Sequence, residues 1–229
     1  MSQTSGSSSF SHASRGRLTV RDLGRFPGDT LFDRLARAVC GAGCLPRKEL
    51  YEAWEMARRV RRLFRGGRVV DLGAGHGLLA QAMLLLDDSS PEALVVDTAL
   101  TPSSAKIHGA LVRSWPRLSG RVTFRESALD DVDICSGDVV VSSHACGALT
   151  DRVLHRAVQA RARVAVLPCC HDRTASDDGD LTGWLDAAAA IDTVRALRLR
   201  ERGYRIWTQT IPSEITAKNR LLLGAPRPS

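Results

Sequence analysis

The segment VVDLGAGHG combines acidic and glycine residues at a spacing that suits the binding of a small molecule. Gly73, Gly75 and Gly77 occupy alternate positions, although glycine loses more conformational entropy on folding than any other residue. Such a loop needs a tight turn, a ligand close to its backbone, or both. Asp71 precedes the glycines, and Asp97 ends the next apolar run, where a carboxylate can accept hydrogen bonds from a ribose. We favour a binding site over a glycine turn used only for packing.

Two histidines and three cysteines follow two later apolar runs and supply a second set of reactive groups. The segment HACG contains His144 and Cys146, and the segment PCCH contains Cys169, Cys170 and His171. Imidazole side chains titrate near neutral pH and serve as general bases. Thiolates are nucleophiles, whereas a protonated cysteine is often only a small buried hydrophobe. Because the two segments end neighbouring predicted strands, we expect these five residues to converge near a reaction centre.

The elements that must position these residues are short apolar strands alternating with helices. Strands are predicted at 68–72, 93–97, 121–124, 138–142 and 163–167, and helices at 77–86, 102–114 and 150–161. This alternation indicates βαβ units, with a parallel sheet and helices on both of its faces. A longer helix at about 181–201 precedes two strands, Tyr204 to Ile211 and Arg220 to Leu223, which predict a closing antiparallel hairpin. In such sheets, ligands bind at the strand ends where the strand order reverses.

Three regions are predicted along the chain. The Ser-rich residues 1–16 are predicted to be a disordered tail, residues 17–66 a helical segment, and residues 67–229 the ligand-binding domain. In the helical segment, Asp29 or Thr30 is expected to cap one helix, and Pro46 to open a second.

Composition limits the possible environments and partners. The chain of 229 residues is 44% hydrophobic and 25% charged, as in an ordinary globular protein, and its apolar runs are too short to cross a bilayer. Its six cysteines have irregular spacings, which favours reduced thiols and a cytoplasmic location. The net charge of +7 suits an anionic partner such as nucleic acid, and basic residues crowd the stretch 47–68. A solvated helix face and a basic docking surface both remain open for that stretch.

The glycine loop and the acidic strand ends resemble those of the class I S-adenosylmethionine-dependent methyltransferases, over about residues 45–225. The resemblance implies an α/β, Rossmann-like seven-stranded sheet, mostly parallel with a C-terminal antiparallel hairpin. It implies that Asp71 and the three glycines hold the methionine half of S-adenosyl-L-methionine and that Asp97 binds the ribose. Ser127 then lies at the segment that borders the adenine.

The pair of motifs HACG-x-LTD and PCCH resembles a narrower methyltransferase subgroup. That subgroup includes tRNA ribose 2′-O-methyltransferases with a CCH motif after the fifth strand, together with related methyltransferase-domain proteins. The segments PRKE at 46–49 and ITAKNR at 215–220 match it as well. Its members do not share one substrate, so the resemblance defines the cofactor better than the acceptor.

We favour methyl transfer to an RNA ribose 2′-hydroxyl, a poor nucleophile that needs a positioned base. His144 is the first candidate for that base, and His171 is a second base or orients the substrate. Lys48, Lys218 and Arg220 are candidates for holding phosphates.

Other chemistries remain open on the sequence alone. In the first alternative, Cys146, Cys169 or Cys170 forms an adduct with a nucleic-acid base and so assists methylation of a base carbon. Zinc binding by the cysteines and histidines is disfavoured, because adjacent cysteines rarely ligate one ion and no CxxC unit occurs, so no metal is expected. A protein or small-molecule acceptor is another alternative, as is a module that binds RNA or protein without turnover.

Overall fold

Seven strands form one mixed sheet in residues 10–228, the part of the chain that the computed structural model describes. In chain order the strands are β1 (Val69–Leu72), β2 (Ala93–Asp97), β3 (Val122–Glu126), β4 (Val139–Ser142), β5 (Arg163–Val166), β6 (Tyr204–Thr210) and β7 (Arg220–Pro226). Their order across the sheet is β3-β2-β1-β4-β5-β7-β6. Strands β1 to β5 are parallel, and β7 runs antiparallel to both β5 and β6. The predicted fold, with its C-terminal hairpin, is therefore confirmed.

Six α-helices connect and cover the sheet in the described residues. They are α1 (Leu31–Ala42), α2 (Arg47–Leu63), α3 (Leu78–Leu86), α4 (Pro102–Ser114), α5 (Ala148–Gln159) and α6 (Ala187–Glu201). The predicted start of the last helix at 181 is wrong: residues 181–183 form a short 3₁₀ turn. The side chain of Asp186 accepts a hydrogen bond from the backbone N–H of Ala189 at 3.0 Å, and this N-cap fixes the start of α6.

Successive side chains of the central strands enter two apolar layers on opposite faces of the sheet. Val69 and Val139 pack in the layer that contains buried residues of α1 to α4. Val70 and Val140 pack in the layer that contains buried residues of α5 and α6. Since strand side chains alternate between faces, the continuously apolar runs identify strands buried on both sides, as predicted.

The helical N-terminal segment packs on helices α3 and α4 and brings α2 beside the glycine loop. Thr30 caps α1 through a hydrogen bond from the N–H of Asp33 at 3.1 Å, and Gly43 ends it with a φ of 68°. Pro46 is the residue before the first turn of α2. Of the predicted tail, residues 1–9 lie outside the described part, whereas Phe10 stacks beneath the guanidinium of Arg47 at 3.6 Å.

None of the helices within residues 10–228 combines the length and the apolar character needed to cross a bilayer.

Candidate functional site

The glycine loop joins β1 to α3 at the point where the strand order reverses. All three glycines have positive φ, at 63° for Gly73, 55° for Gly75 and 70° for Gly77. A Cβ at Gly77 would lie 2.8 Å from Cγ1 of Val95, so the loop packs directly on β2. Backbone conformation and close packing therefore both require glycine at this position.

Asp97 ties the end of β2 to the glycine loop. One carboxylate oxygen accepts a hydrogen bond from the N–H of Gly75 at 2.8 Å, and the other accepts one from the N–H of Thr98 at 2.8 Å. Together with Ser127, Asp97 lines a cavity of about 80 Å³ that Leu149 also borders. The predicted ribose and adenine residues thus lie together at the rim of the sheet. Sites for drug-sized ligands measure about 300–1,000 Å³, so a whole nucleotide requires side chains at this border to move.

Asp71 lies under the glycine loop and is fully buried. Its Oδ2 accepts a hydrogen bond from the N–H of Ala80 at 3.3 Å, whereas its Oδ1 has no hydrogen-bond partner. Burial raises the pKa of Asp71 to about 7; the charge of Asp97 adds to this effect, and the Ala80 hydrogen bond opposes it. An unpaired buried acceptor of this kind is costly, which is typical of residues that serve a ligand.

A glutamate and two histidines meet beside the glycine loop. Oε2 of Glu49, on α2, lies 2.7 Å from Nδ1 of His76 and 3.9 Å from Nε2 of His144. The His144 ring covers the loop, since a Cβ at Gly75 would lie 3.3 Å from its Cδ2. Burial alone would raise the pKa of Glu49. The hydrogen bond with His76 and the charges of His144 and Lys48 together outweigh burial, so the pKa of Glu49 is lowered overall. The cluster can therefore hold an ionised carboxylate next to an accessible imidazole.

Glu49 and His76 were not among the predicted site residues. Both stand in segments that the sequence had singled out, the PRKE motif and the glycine loop. Their contact joins residues that are 27 positions apart. That separation is why the motifs alone did not indicate their pairing.

The cysteines of HACG and PCCH come together at the carboxyl ends of β4 and β5. The sulfurs of Cys146, Cys169 and Cys170 all lie within 4.8 Å of one another. The Sγ atoms of Cys146 and Cys169 are 2.8 Å apart. Burial and the contact with Cys170 raise the pKa of Cys146, and burial and the neighbouring thiols raise the pKa of Cys169. Both shifts favour the protonated thiol.

His171 is set apart from these cysteines by an ion-pair network. Its side chain is 4% exposed, and its Nε2 lies 2.8 Å from a carboxylate oxygen of Asp192. Arg220 and Arg195 bind the same carboxylate at 2.8 and 3.3 Å. Burial raises the pKa of Asp192, but hydrogen bonds from His171 and Arg220 outweigh it and lower that pKa. His171 and Arg220 therefore tie the segment after β5 and the first residue of β7 to α6.

The basic stretch before the sheet is largely neutralised by carboxylates. Nζ of Lys48 lies 3.1 Å from Glu52. Of the predicted phosphate-binding residues, Lys218 is exposed and lies between β6 and β7. Within residues 47–68, the further ion pairs of the described structure are Arg47–Asp22, Arg58–Glu55, Arg59–Glu55, Arg61–Asp87, Arg65–Asp87 and Arg68–Asp138. Most of this charge is already paired within the fold, which weakens the case for a docking surface here.

Comparison with known proteins gives a family and a set of similar folds. A family model described as a methyltransferase domain matches residues 48–177. No curated protein sequence matches the chain. An O-methyltransferase family protein from Burkholderia thailandensis superimposes with a TM-score of 0.53 at 18% identity, over 91% of this chain and 63% of that one.

Two further solved structures show the same fold. The mitomycin 7-O-methyltransferase MmcR has a TM-score of 0.51 at 17% identity, covering 90% of this chain and 60% of that one. The S-adenosylmethionine-dependent methyltransferase SibL has a TM-score of 0.50 at 21% identity, covering 93% and 67%. This chain thus spans less than two thirds of the Burkholderia protein and of MmcR.

Proposed function

The chain belongs to the methyltransferase-domain family, and on that basis we propose that it transfers a methyl group to a ribose 2′-hydroxyl of RNA. Family membership confirms the predicted enzyme class and S-adenosylmethionine as the cofactor. The observation that carries the choice of an oxygen acceptor is the cluster of Glu49, His76 and His144 beside the glycine loop.

The residues around the glycine loop offer the kinds of group that the cofactor needs. S-adenosylmethionine, when bound, supplies an electrophilic methyl group on a positively charged sulfur. The left-handed glycines leave backbone free of side chains, and Asp97 presents carboxylate oxygens at the cavity to accept from ribose hydroxyls. Beneath the loop, Oδ1 of Asp71 has no hydrogen-bond partner. The positive charge of the bound cofactor would favour the ionised form of this carboxyl group.

His144 is positioned to remove the acceptor's proton. A hydroxyl is a weak nucleophile while protonated, and a positioned base is worth about 10²–10⁴-fold in rate. The His144 side chain is 34% exposed, so an acceptor can reach it. The carboxylate of Glu49 lies 3.9 Å from Nε2 of His144, within ion-pair distance of a ring that has taken the proton. His76 holds this carboxylate through its direct hydrogen bond.

The cysteine-adduct mechanism has less support. A thiolate is the reactive form of cysteine, and a raised pKa leaves less of it at neutral pH. Both Cys146 and Cys169 have raised pKa values.

The proposal that RNA is the acceptor is supported by the net charge of +7 and by the resemblance of the motifs. Exposed Lys218, near the carboxyl ends of the parallel strands, is the best placed of the predicted phosphate-binding residues. Lys48 and Arg220 contribute less, because each already pairs with a carboxylate.

The test is transfer of labelled methyl groups from S-adenosylmethionine to total RNA and, separately, to a protein extract. Ribose methylation is identified by labelled dinucleotides that survive alkaline hydrolysis, because the methyl group blocks the attacking 2′-oxygen. We expect His144→Ala to lower turnover by about 10²-fold or more while cofactor affinity measured by calorimetry stays unchanged. The matched control is His155→Ala, at an exposed histidine of α5.

Three results would contradict the proposal. Label found only in protein would exclude RNA as the acceptor. Label recovered from RNA only as mononucleotides after alkaline hydrolysis would exclude the ribose 2′-oxygen. Equal losses of turnover and cofactor affinity in His144→Ala would make His144 a cofactor-binding or structural residue.

A further inference from the structure

The three thiols at the ends of β4 and β5 form a site that the proposed methyl transfer does not use. We propose that Cys146, Cys169 and Cys170 bind one zinc ion through their sulfurs, which lie within 4.8 Å of one another. Thiolates are preferred ligands of zinc, and zinc sites with three protein ligands are common in proteins. The sulfurs come from two segments that are 23 residues apart in sequence, so the fold itself assembles the set.

The distances between the sulfurs match such a site after small side-chain rotations. Zinc–sulfur bonds of about 2.3 Å in a tetrahedron place neighbouring sulfurs about 3.8 Å apart. The closest pair, Cys146 and Cys169, is at 2.8 Å, and all separations lie within 4.8 Å. Each sulfur therefore needs to move by only about 1 Å.

The backbone around the cysteines is held in place before any ion binds. The N–H of Gly147 donates to the carbonyl of Cys170 at 3.2 Å, which joins the two cysteine segments directly. The buried guanidinium of Arg195 donates to the carbonyl of Gly147 at 3.0 Å and to the carboxylate of Asp151 at 2.9 and 2.8 Å. Such fixed ligands lose little freedom on binding an ion.

In the sequence, the adjacent positions of Cys169 and Cys170 argue against their binding the same ion. In the structure, however, both sulfurs lie in the same cluster. Thiolates held this close together repel one another. A divalent cation among the sulfurs reverses this effect, because it stabilises each thiolate that coordinates it.

Three thiolates leave the fourth tetrahedral position to a ligand from outside the protein. Within residues 10–228, the group of potential ligands contains these three cysteines and no fourth residue. His171 follows Cys170 directly, but it is not part of this group, and its Nε2 is bonded to Asp192. Cys146 and Cys170 are exposed, so the open position faces solvent near the rim of the sheet. Zinc sites of this kind bind water or a substrate atom.

The experiment measures zinc in the full chain, purified under reducing conditions and dialysed against zinc-free buffer. Elemental analysis and competition with a chromogenic chelator give stoichiometry and affinity, and cobalt substitution reports thiolate ligation by its charge-transfer absorption. We expect about one zinc per chain. Cys146→Ser and Cys169→Ser should each weaken zinc binding by at least about tenfold. Cys135→Ser is the matched control, since Cys135 is exposed and lies outside the cluster.

The proposal is overturned if the wild-type chain binds no zinc at micromolar concentration, or if Cys135→Ser weakens binding as much as the cluster variants. It is also overturned if Cys146 and Cys169 form a disulfide that added zinc does not prevent. Having two cluster variants, each checked by thermal unfolding, separates loss of a ligand from loss of the fold. Calorimetry with S-adenosylmethionine on the same sample tests the proposed function separately. If the chain binds the cofactor but no zinc, only the metal-site proposal is refuted.

Discussion

The raised pKa of Asp71, the buried carboxyl group beneath the glycine loop, predicts how the stability of the fold depends on pH. Burial raises its pKa from the usual 3.8 to about 7. Between these two values the folded chain keeps the proton that the unfolded chain releases. The folded state then binds more protons, so the free energy of unfolding falls as the pH rises through this interval. The stabilisation is complete below about pH 4 and is lost as the pH passes about 7.

The size of the effect follows from the same numbers. One pKa unit corresponds to about 1.4 kcal/mol, so with a pKa raised from 3.8 to about 7 the ionisation of Asp71 costs the folded chain about 4 kcal/mol more than it costs the unfolded chain. Asparagine has nearly the shape of the protonated acid and does not titrate. Asp71→Asn should therefore match the wild type near pH 4 and exceed its stability by about 4 kcal/mol above pH 8.

The assay is denaturant unfolding of the cofactor-free chain at several pH values from 4 to 8.5. The control, Asp131→Asn, makes the same chemical change at an exposed residue and should follow the wild-type curve. If the stability difference between Asp71→Asn and the wild type does not change with pH, Asp71 does not have the raised pKa assigned to it. An Asn variant that is less stable throughout would mean that ionised Asp71 has a partner in the folded state.

Three further substitutions test the site and its support. Asp97→Ala should weaken S-adenosylmethionine binding by about 1–3 kcal/mol in calorimetry, because it removes the proposed ribose acceptor and the hydrogen bond from the N–H of Gly75. Gly77→Ala should lower the free energy of unfolding by about 1–3 kcal/mol in denaturant titration, since its φ of 70° and its packing on β2 disfavour a side chain. Arg61→Met should lower the free energy of unfolding by about 3–5 kcal/mol, because it removes the buried ion pair with Asp87 at 3.2 Å and leaves that carboxylate only Arg65, at 3.7 Å.

Each of these substitutions has a control and an outcome that would contradict it. Unchanged affinity in Asp97→Ala would remove that residue from the cofactor site, and Asp131→Ala shows the effect of losing an exposed carboxylate. Gly120→Ala, at a positive φ with no atom within 4 Å of the added Cβ, separates conformational strain from packing at Gly77. Arg62→Met, at an exposed neighbour, should leave stability nearly unchanged; an equal loss there would refute a special role for Arg61.

Local patterns in the sequence were sufficient to predict the elements of the fold. The five parallel strands begin and end within two residues of their predicted limits, because apolar runs bounded by polar and glycine residues report burial directly. The sequence also indicated that Asp97 and the glycine loop lie at the same edge of the sheet, because the carboxyl ends of parallel strands meet there; the hydrogen bond between them is a finding of the structure.

Contacts between side chains that are far apart in the sequence could not be predicted from local patterns. The sequence placed His144 and His171 together as candidate bases, yet tertiary packing puts one over Gly75 and binds the other to Asp192. In the same way, packing placed Glu49 against His76 and gathered three thiols into one cluster. The sequence by itself determined the strands, the glycine turn and the kinds of reactive residue at the rim. Only the tertiary structure decided which of those residues meet, because the orientation of a side chain depends on neighbours that lie far away along the chain.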